Sequence, residues 1–488
     1  MPIPQIYRGS LALLTDLYEL TMAYGYWKSG VHEREAVFSL SFREHPFRGG
    51  YTVAAGLEAV VEWIAGLRFT ADDIGYLGSL RDAGDGRLFE QEFLDYLRSL
   101  VFRCDVDGVP EGTVVFPRQP LLQVRGPILQ AQILETAVLN LINFQSLVAT
   151  KAARVSMAAR GDPVIEFGLR RAQGIDGGLS ASRAAYIGGC SATSNTLAGK
   201  LFGIPVRGTV AHSWVMSFDS EQEAFDAWAR AMPSNSVFLV DTYDTLTGVG
   251  HAIEAGRWLQ KRGHRFGGVR LDSGDLAYLS IEARKLLDEA GFRDALVLAS
   301  NNLDEYIVAS LKEQGAAIGA WGVGTHLVTA YDDPALGGVY KLTAIRRDSR
   351  EPWSYRLKLS EQVHKASIPG VLQVRRYRSG AECVGDMTYD LQLGVPHSPL
   401  IVDPVDSSRQ KRIPPGAEWD DLLVPVFRQG KQVIQLPGLS SIRDRVRAQL
   451  QSFHPSILRL VNPHEYPAGL ADNLSELRDR IFRELRAT

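Results

Sequence analysis

Gly268-Val269-Arg270-Leu271-Asp272-Ser273-Gly274-Asp275-Leu276 is the stretch on which the reading of this chain turns. A short, mostly apolar run reads as a buried strand, polar residues and a glycine close it, and a helical pattern continues over 276–290. The same unit recurs on either side. Apolar runs at 164–167, 206–210, 237–240, 268–271, 296–299, 318–321 and 339–342 mostly alternate with helical patterns at 180–201, 221–230, 246–261, 276–290 and 303–313. Strands alternating with helices imply parallel β/α units. About seven such units predict an irregular β/α barrel. An open doubly wound sheet fits the same periodicity.

Outward from this core the rhythm changes. The chain is expected to comprise an N-terminal α/β domain (1–150), the barrel (151–350) and a C-terminal segment (351–488) that packs partly on the N-terminal domain. Asp16 can cap a first helix with Glu19 at the capping-box position, Leu13, Leu17, Leu20 and Tyr24 recur at helical intervals, and Gly30 supplies a stop. Strand-like patterns follow at 36–42 and 105–124, then at 370–377 and 400–402, whereas 440–486 reads as helical and charged.

Composition narrows the function classes. With 45% hydrophobic and 22% charged residues and a net charge of −3, the chain has the make-up of a globular enzyme. That balance gives no electrostatic footprint for nucleic acid or for an anionic membrane surface. Cys104, Cys190 and Cys383 stand far apart without CxxC spacing, so they predict neither a zinc site nor a disulfide framework. The most apolar stretch, 130–150, is interrupted by Glu135, Asn140, Asn143 and Gln145, which makes it a core helix rather than a membrane span. A cytoplasmic enzyme without a membrane or nucleic-acid partner is expected.

The strand ends carry the chemistry. In Arg207-Gly208-Thr209-Val210-Ala211-His212-Ser213-Trp214, a histidine directly follows a short strand. Such a residue can accept a phosphoryl group, bind a metal or act as a general base. Arg170 and Arg171 follow another strand and suit an anionic ligand, a surface ion pair being the plain alternative. Asp272 and Asp275, like the aspartates of Val240-Asp241-Thr242-Tyr243-Asp244, suit Mg²⁺, although Asp275 fits a helix N-cap at least as well. Gly322-Val323-Gly324-Thr325 offers closely spaced backbone N–H groups to a phosphate.

Together with Leu14-Thr15-Asp16-Leu17-Tyr18-Glu19-Leu20-Thr21-Met22, Glu166-Phe167-Gly168-Leu169-Arg170-Arg171-Ala172-Gln173-Gly174 and Leu271-Asp272-Ser273-Gly274-Asp275-Leu276, these blocks resemble the nicotinate phosphoribosyltransferases, which have the type II phosphoribosyltransferase fold. The resemblance runs over nearly the whole chain. It implies that nicotinate and phosphoribosyl pyrophosphate give nicotinate mononucleotide and pyrophosphate, coupled to ATP hydrolysis with Mg²⁺ through phosphorylation of His212. It further implies that Tyr18, Thr209 and Arg270 touch nicotinate, that Gly324 and Thr325 form a phosphate loop, and that Arg43 and Arg170 contact phosphoribosyl pyrophosphate or a carboxylate. A homodimer with shared sites is also implied, in which Tyr18 serves its own or the neighbour's site. Asn302 departs from the pattern, standing where an aspartate is common, and is not assigned to metal. The cysteine count excludes the zinc ribbon that some relatives carry.

Two other readings compete. A nicotinamide phosphoribosyltransferase shares the fold and chemistry, but Arg170 and Arg270 favour a charged ring substituent. A non-catalytic nicotinate or phosphoribosyl pyrophosphate sensor has no use for a phosphoryl acceptor at His212.

Overall fold

The computed structural model describes residues 11–358 and 367–487. Two compact units divide them. One takes the described parts of Met1–Ser146, Ala335–Gly438 and Asp444–Thr488, and the other takes Leu147–Pro334 and Leu439–Arg443.

The second unit contains the predicted alternation. Six short strands form one sheet in the order Ala192–Thr193, Val164–Glu166, Ala320–Val323, Leu296–Ala299, Gly268–Leu271 and Val237–Leu239. Every pairing in it is parallel, and the earliest of the central strands lies beside the latest, with Trp321 opposite Val164. The strand interiors are apolar because both faces are covered: Leu239, Leu271, Ala299, Trp321 and Val323 are buried. Four following helices start in the same way. Ser220, Asp244, Asp275 and Asp304 each accept a hydrogen bond from the backbone N–H three residues on, opening Glu221–Ala231, Thr245–Gln260, Leu276–Glu289 and Glu305–Glu313. Gly268 is required where it stands. Its φ is +134°, and a Cβ there would lie 2.0 Å from the carbonyl oxygen of Leu296.

Three sequence expectations fail here, each for a physical reason. The run 339–342 is not a member of this sheet. It lies in Gly338–Arg346, which pairs antiparallel with Glu35–Phe42 in the other unit. An apolar run by itself does not specify its partner. In 206–210 only Val206 joins the strand ladder, through one parallel bridge to Thr193. The helical pattern 180–201 is cut: the helix Gly174–Gly188 stops at Gly189 (φ +126°), Ala192–Thr193 enters the sheet, and Asn195 caps a new helix, Thr196–Phe202. A Cβ on Gly188 would meet the carbonyl oxygen of Ala149 at 2.2 Å, so close packing puts glycines at that break.

The first unit holds two larger sheets. An antiparallel one runs Ser354–Tyr355, Gly338–Arg346, Glu35–Phe42, Leu122–Pro127, Asp105–Gly108, Val424–Arg428, Lys431–Gln432. The other runs Gln410–Arg412, Leu400–Val402, Ala468–Ala471, Glu382–Asp390, Leu372–Ser379, Glu418–Asp421. The strand-like pattern 105–124 is therefore divided between strands, as its Gly and Pro punctuation allows. The tail is not one helix, since the strand Ala468–Ala471 separates Leu439–Gln451 from Asp472–Ala487.

Leu17–Lys28 is a helix ending before Gly30 (φ +69°), but the expected capping box does not form. Glu19 is buried and its carboxylate accepts instead from the N–H of Thr136 (2.9 Å) and the hydroxyl of Thr15 (2.6 Å). Asp16 accepts from the Thr136 hydroxyl at 2.8 Å. A distant threonine has outcompeted the local cap. The helix Ile128–Ala158 is long and apolar enough to cross a membrane by length and composition alone. It carries buried Lys151 and Arg154, ion-paired to Glu305 at 2.8 and 2.7 Å, as a core helix does.

His45 ties two strand ends of the first unit, its Nδ1 lying 2.9 Å from the Thr52 hydroxyl and its ring edge-on to Phe116. Burial pulls its pKa from the usual 6.5 down to about 3. The folded protein therefore refuses a proton that the unfolded chain accepts, and stability falls as pH drops from about 6.5 toward 3. His45→Asn is expected to flatten this slope, read as melting temperature between pH 7.5 and 4.5. Parallel slopes for both proteins would refute the assignment.

Candidate active site

The loops that follow the parallel strands bring together residues far apart in the chain. Arg270, at the end of Gly268–Leu271, is the hub. Its Nε donates to the Ser300 hydroxyl (2.7 Å), its Nη1 to the Thr209 hydroxyl (2.9 Å) and its Nη2 to Asp272 Oδ1 (2.8 Å). The guanidinium also lies 5.4 Å from the centre of the Phe167 ring. Three of the five N–H donors of an arginine are thus engaged, and two are left for a ligand. Ser300 additionally donates to Asp272, so the carboxylate is held from two sides.

His212 is the first residue of a short helix, His212–Val215, and is preceded by extended backbone rather than by the strand that the sequence suggested. Its Nδ1 lies 3.1 Å from the Thr242 hydroxyl. Its Nε2 lies 3.9 Å from Asp272 Oδ2, beyond hydrogen-bond distance, and the side chain is 42% exposed. Asp241 accepts from the N–H of Asp272 (2.9 Å) and the Ser273 hydroxyl (2.6 Å) through Oδ2. Its Oδ1 is buried and has no hydrogen-bond partner among the described residues. An unpartnered buried carboxylate oxygen beside a second carboxylate is a donor set that suits a hard cation.

A second cluster shapes the loop after Val164–Glu166. Glu166 is fully buried and accepts from the Gly168 N–H, the Ser182 hydroxyl (2.9 Å) and the Thr193 hydroxyl (2.5 Å). That pins Gly168 against the Gly324 loop, where a Cβ on Gly168 would meet the Gly324 carbonyl oxygen at 2.9 Å. Gly324 ends the strand Ala320–Val323 and precedes Thr325–Val328. Arg170 and Arg171 lie in the turn Leu169–Arg171 and are exposed.

The expected residues divide as follows. Thr209, His212, Arg270 and Asp272 are linked directly, and Arg170, Gly324 and Thr325 lie on loops of the same unit. Asp275 accepts from the N–H of Tyr278 (3.1 Å) as the cap of Leu276–Glu289, the alternative role its position offered. Tyr18 and Arg43 belong to the other unit. The Tyr18 phenol is pushed up to about 12, first by burial and then by the nearby Glu135, Glu19 and Asp16 carboxylates, so it is neutral at physiological pH. Sequence reasoning did not single out Thr242, Ser300, Phe167 or the buried Glu166. Glu166 closes its strand and Phe167, Thr242 and Ser300 come just after theirs, and that placement is the signal that could have found them.

Residues 13–143 match the nicotinate phosphoribosyltransferase N-terminal domain, and residues 387–478 match the C-terminal domain of the same enzymes. The nicotinate phosphoribosyltransferase of Bacillus subtilis is 42% identical over 98% of each chain. This chain belongs to the nicotinate phosphoribosyltransferase family. The human nicotinate phosphoribosyltransferase is 35% identical over 97% of each chain. A crystal structure of human nicotinic acid phosphoribosyltransferase superposes with a TM-score of 0.81, covering 96% of this chain and 99% of that one at 32% identity. Nicotinate-nucleotide pyrophosphorylase from Pyrococcus furiosus shares the fold, with a TM-score of 0.68. The Arg270 hub belongs to an enzyme of the nicotinate phosphoribosyltransferase family, and its free donors are to be read in that light.

Proposed function

We propose that the chain forms nicotinate mononucleotide and pyrophosphate from nicotinate and phosphoribosyl pyrophosphate, driven by ATP through phosphorylation of His212. The observation that carries this reading is one connected network, Thr209–Arg270–Asp272 with His212 beside it, on strand-end loops of a chain from this family. Cytoplasmic NAD biosynthesis is the setting it implies.

With the proton on Nδ1 directed to Thr242, the Nε2 lone pair is the free nucleophile. It attacks the γ-phosphorus of ATP, the bond to the bridging oxygen breaks, and ADP leaves with the electron pair. In the transfer step, the pyridine nitrogen of nicotinate attacks the ribose anomeric carbon while pyrophosphate departs with the electrons of the broken C–O bond. Positive charge develops on the ribose, as in glycoside chemistry, so positioning and neutralisation of the leaving group dominate. Arg270 offers its two remaining N–H donors to the nicotinate carboxylate beside the Thr209 hydroxyl, and Tyr18 borders the pyridine ring. Arg43, Arg170 and the Gly324–Thr325 loop take the phosphates. Asp272 and Asp241 would hold Mg²⁺, which neutralises phosphate oxygens when bound, whereas the cap bond of Asp275 favours a structural role for that residue.

The same reading includes an irregular barrel and a homodimer. Sequential strand order with the first and last central strands adjacent, and the Thr193–Val206 bridge at one edge, support closure of the sheet. A homodimer in which Tyr18 serves either subunit's site accounts for a substrate residue on the other unit. The domain limits 1–150, 151–350 and 351–488 remain part of this reading.

Thr242→Val tests the tautomer. It is expected to lower ATP-stimulated kcat roughly tenfold without changing KM for nicotinate, because an orienting partner is lost. An unchanged kcat would contradict the role. The reaction itself is tested by product formation from nicotinate or nicotinamide with phosphoribosyl pyrophosphate and Mg²⁺, with and without ATP. Mononucleotide from nicotinate, increased by ATP, is expected. Preference for nicotinamide would assign the sister activity, and binding without turnover would assign a sensor.

A further inference from the structure

The segment that carries His212 has little structure of its own. Residues 207–219 form no strand, and their one regular element is the single turn His212–Val215. Such a turn is unfavourable in isolation, because its first hydrogen bond must fix three residues. Arg207, Gly208, Ala211, Ser213 and Met216 are exposed. The imidazole of His212 has a single hydrogen-bond partner among the described residues, the Thr242 hydroxyl at 3.1 Å. Phosphoryl transfer takes the Nε2 lone pair to the γ-phosphorus as its bond to the bridging oxygen breaks and ADP leaves with that pair, so the nitrogen has to be held in line. Its position must come from packing.

Trp214 supplies that packing. Its indole Nε1–H donates to the Ala224 carbonyl (3.1 Å) on the helix Glu221–Ala231. Its ring lies edge-on to Trp228, centres 5.3 Å apart, and tilted against Phe218 at 4.9 Å. Trp228 is itself fixed, its Nε1–H donating to the Asn235 carbonyl (2.8 Å). A rigid ring with a satisfied donor at its edge sets orientation as well as contact. The same helix sets the other side of the His212–Thr242 bond. Phe225 is fully buried on it and packs at 4.9 Å on Phe238 of the strand Val237–Leu239, which leads directly into Thr242. Thr245–Gln260, the helix after Thr242, is tied to it as well, with His251 Nδ1 lying 2.9 Å from Glu221. Glu221–Ala231 is thus a common frame for the histidine and its orienting hydroxyl, and Trp214 is the link on the histidine's side.

We propose that Trp214 is a positioning residue for the phosphoryl acceptor, fixing the His212 turn on Glu221–Ala231 so that the imidazole meets Thr242. The inference rests on phosphorylation of His212 as read above. Trp214→Leu removes ring and donor, and Trp214→Phe keeps a ring without the donor. With ATP labelled at the γ-phosphate, the initial rate of labelling of His212 in the full-length protein is expected to fall about tenfold or more in Trp214→Leu and less in Trp214→Phe. ATP-independent mononucleotide synthesis and KM for nicotinate should match wild type in both, a split that loss of folding would not give. Combined with Thr242→Val, Trp214→Leu should add little further loss of labelling, because both act on one bond. Should Trp214→Leu fail to fold, Trp214→Phe decides alone. Labelling at the wild-type rate in the variants overturns the proposal, as does additive loss in the double variant. A parallel fall of ATP-independent synthesis also overturns it, by making Trp214 a residue of the fold alone. Wild type that takes no label would instead remove the phosphohistidine reading and this inference with it, whereas labelled wild type beside fully labelled variants removes the inference only.

Discussion

His212→Asn is expected to remove the ATP stimulation entirely and to lower ATP-driven mononucleotide synthesis by about 10²-fold or more, the scale of losing an activated nucleophile. Asn keeps a polar group that can face the Thr242 hydroxyl, which lies 3.1 Å from the native ring, so packing is little disturbed. What disappears is Nε2. Slow ATP-independent turnover should survive, because Arg270, Thr209 and Asp272 hold one another without the histidine. Melting temperature should stay close to wild type, as the side chain is 42% exposed. The measurement is initial rate with and without ATP at saturating nicotinate. Persisting ATP stimulation would show that another residue carries the phosphoryl group.

Arg270→Lys should have the second largest effect, a rise of about 10–100-fold in KM for nicotinate, which corresponds to a charge-assisted hydrogen-bond pair. Lysine retains the charge beside Asp272 but cannot reproduce the planar fork that reaches Ser300, Thr209 and Asp272 together. Nicotinamide carries no charge for the guanidinium to meet, so discrimination between the two rings should narrow in the variant. The diagnostic is which KM moves. If KM for phosphoribosyl pyrophosphate rises and that for nicotinate does not, the arginine faces phosphate.

The two features on which these predictions depend were legible in the sequence to different degrees. Strand Gly268–Leu271 and its polar close were readable because parallel strands are buried on both faces and stand out as apolar runs. The Asp275 cap was readable for a local reason, since a capping side chain reaches only three residues. Thr242 and Ser300 were not readable as partners of His212 and Arg270. Their bonds span 30 residues each, and nothing local distinguishes a hydroxyl that will meet a distant side chain. The run 339–342 shows the converse error, a strand recognised but credited to the wrong sheet, because pairing is decided by tertiary contacts rather than by the run. Glu19 and Thr136 make the same point for the first helix, where a contact 117 residues away displaced a plausible cap.

The most direct test of the account is to incubate the protein with ATP labelled at the γ-phosphate, isolate it, and then add phosphoribosyl pyrophosphate with either nicotinate or nicotinamide. The account predicts one acid-labile phosphate per chain on His212, discharged with stoichiometric mononucleotide when nicotinate is supplied. No label on His212, or label that persists while mononucleotide forms, would contradict it.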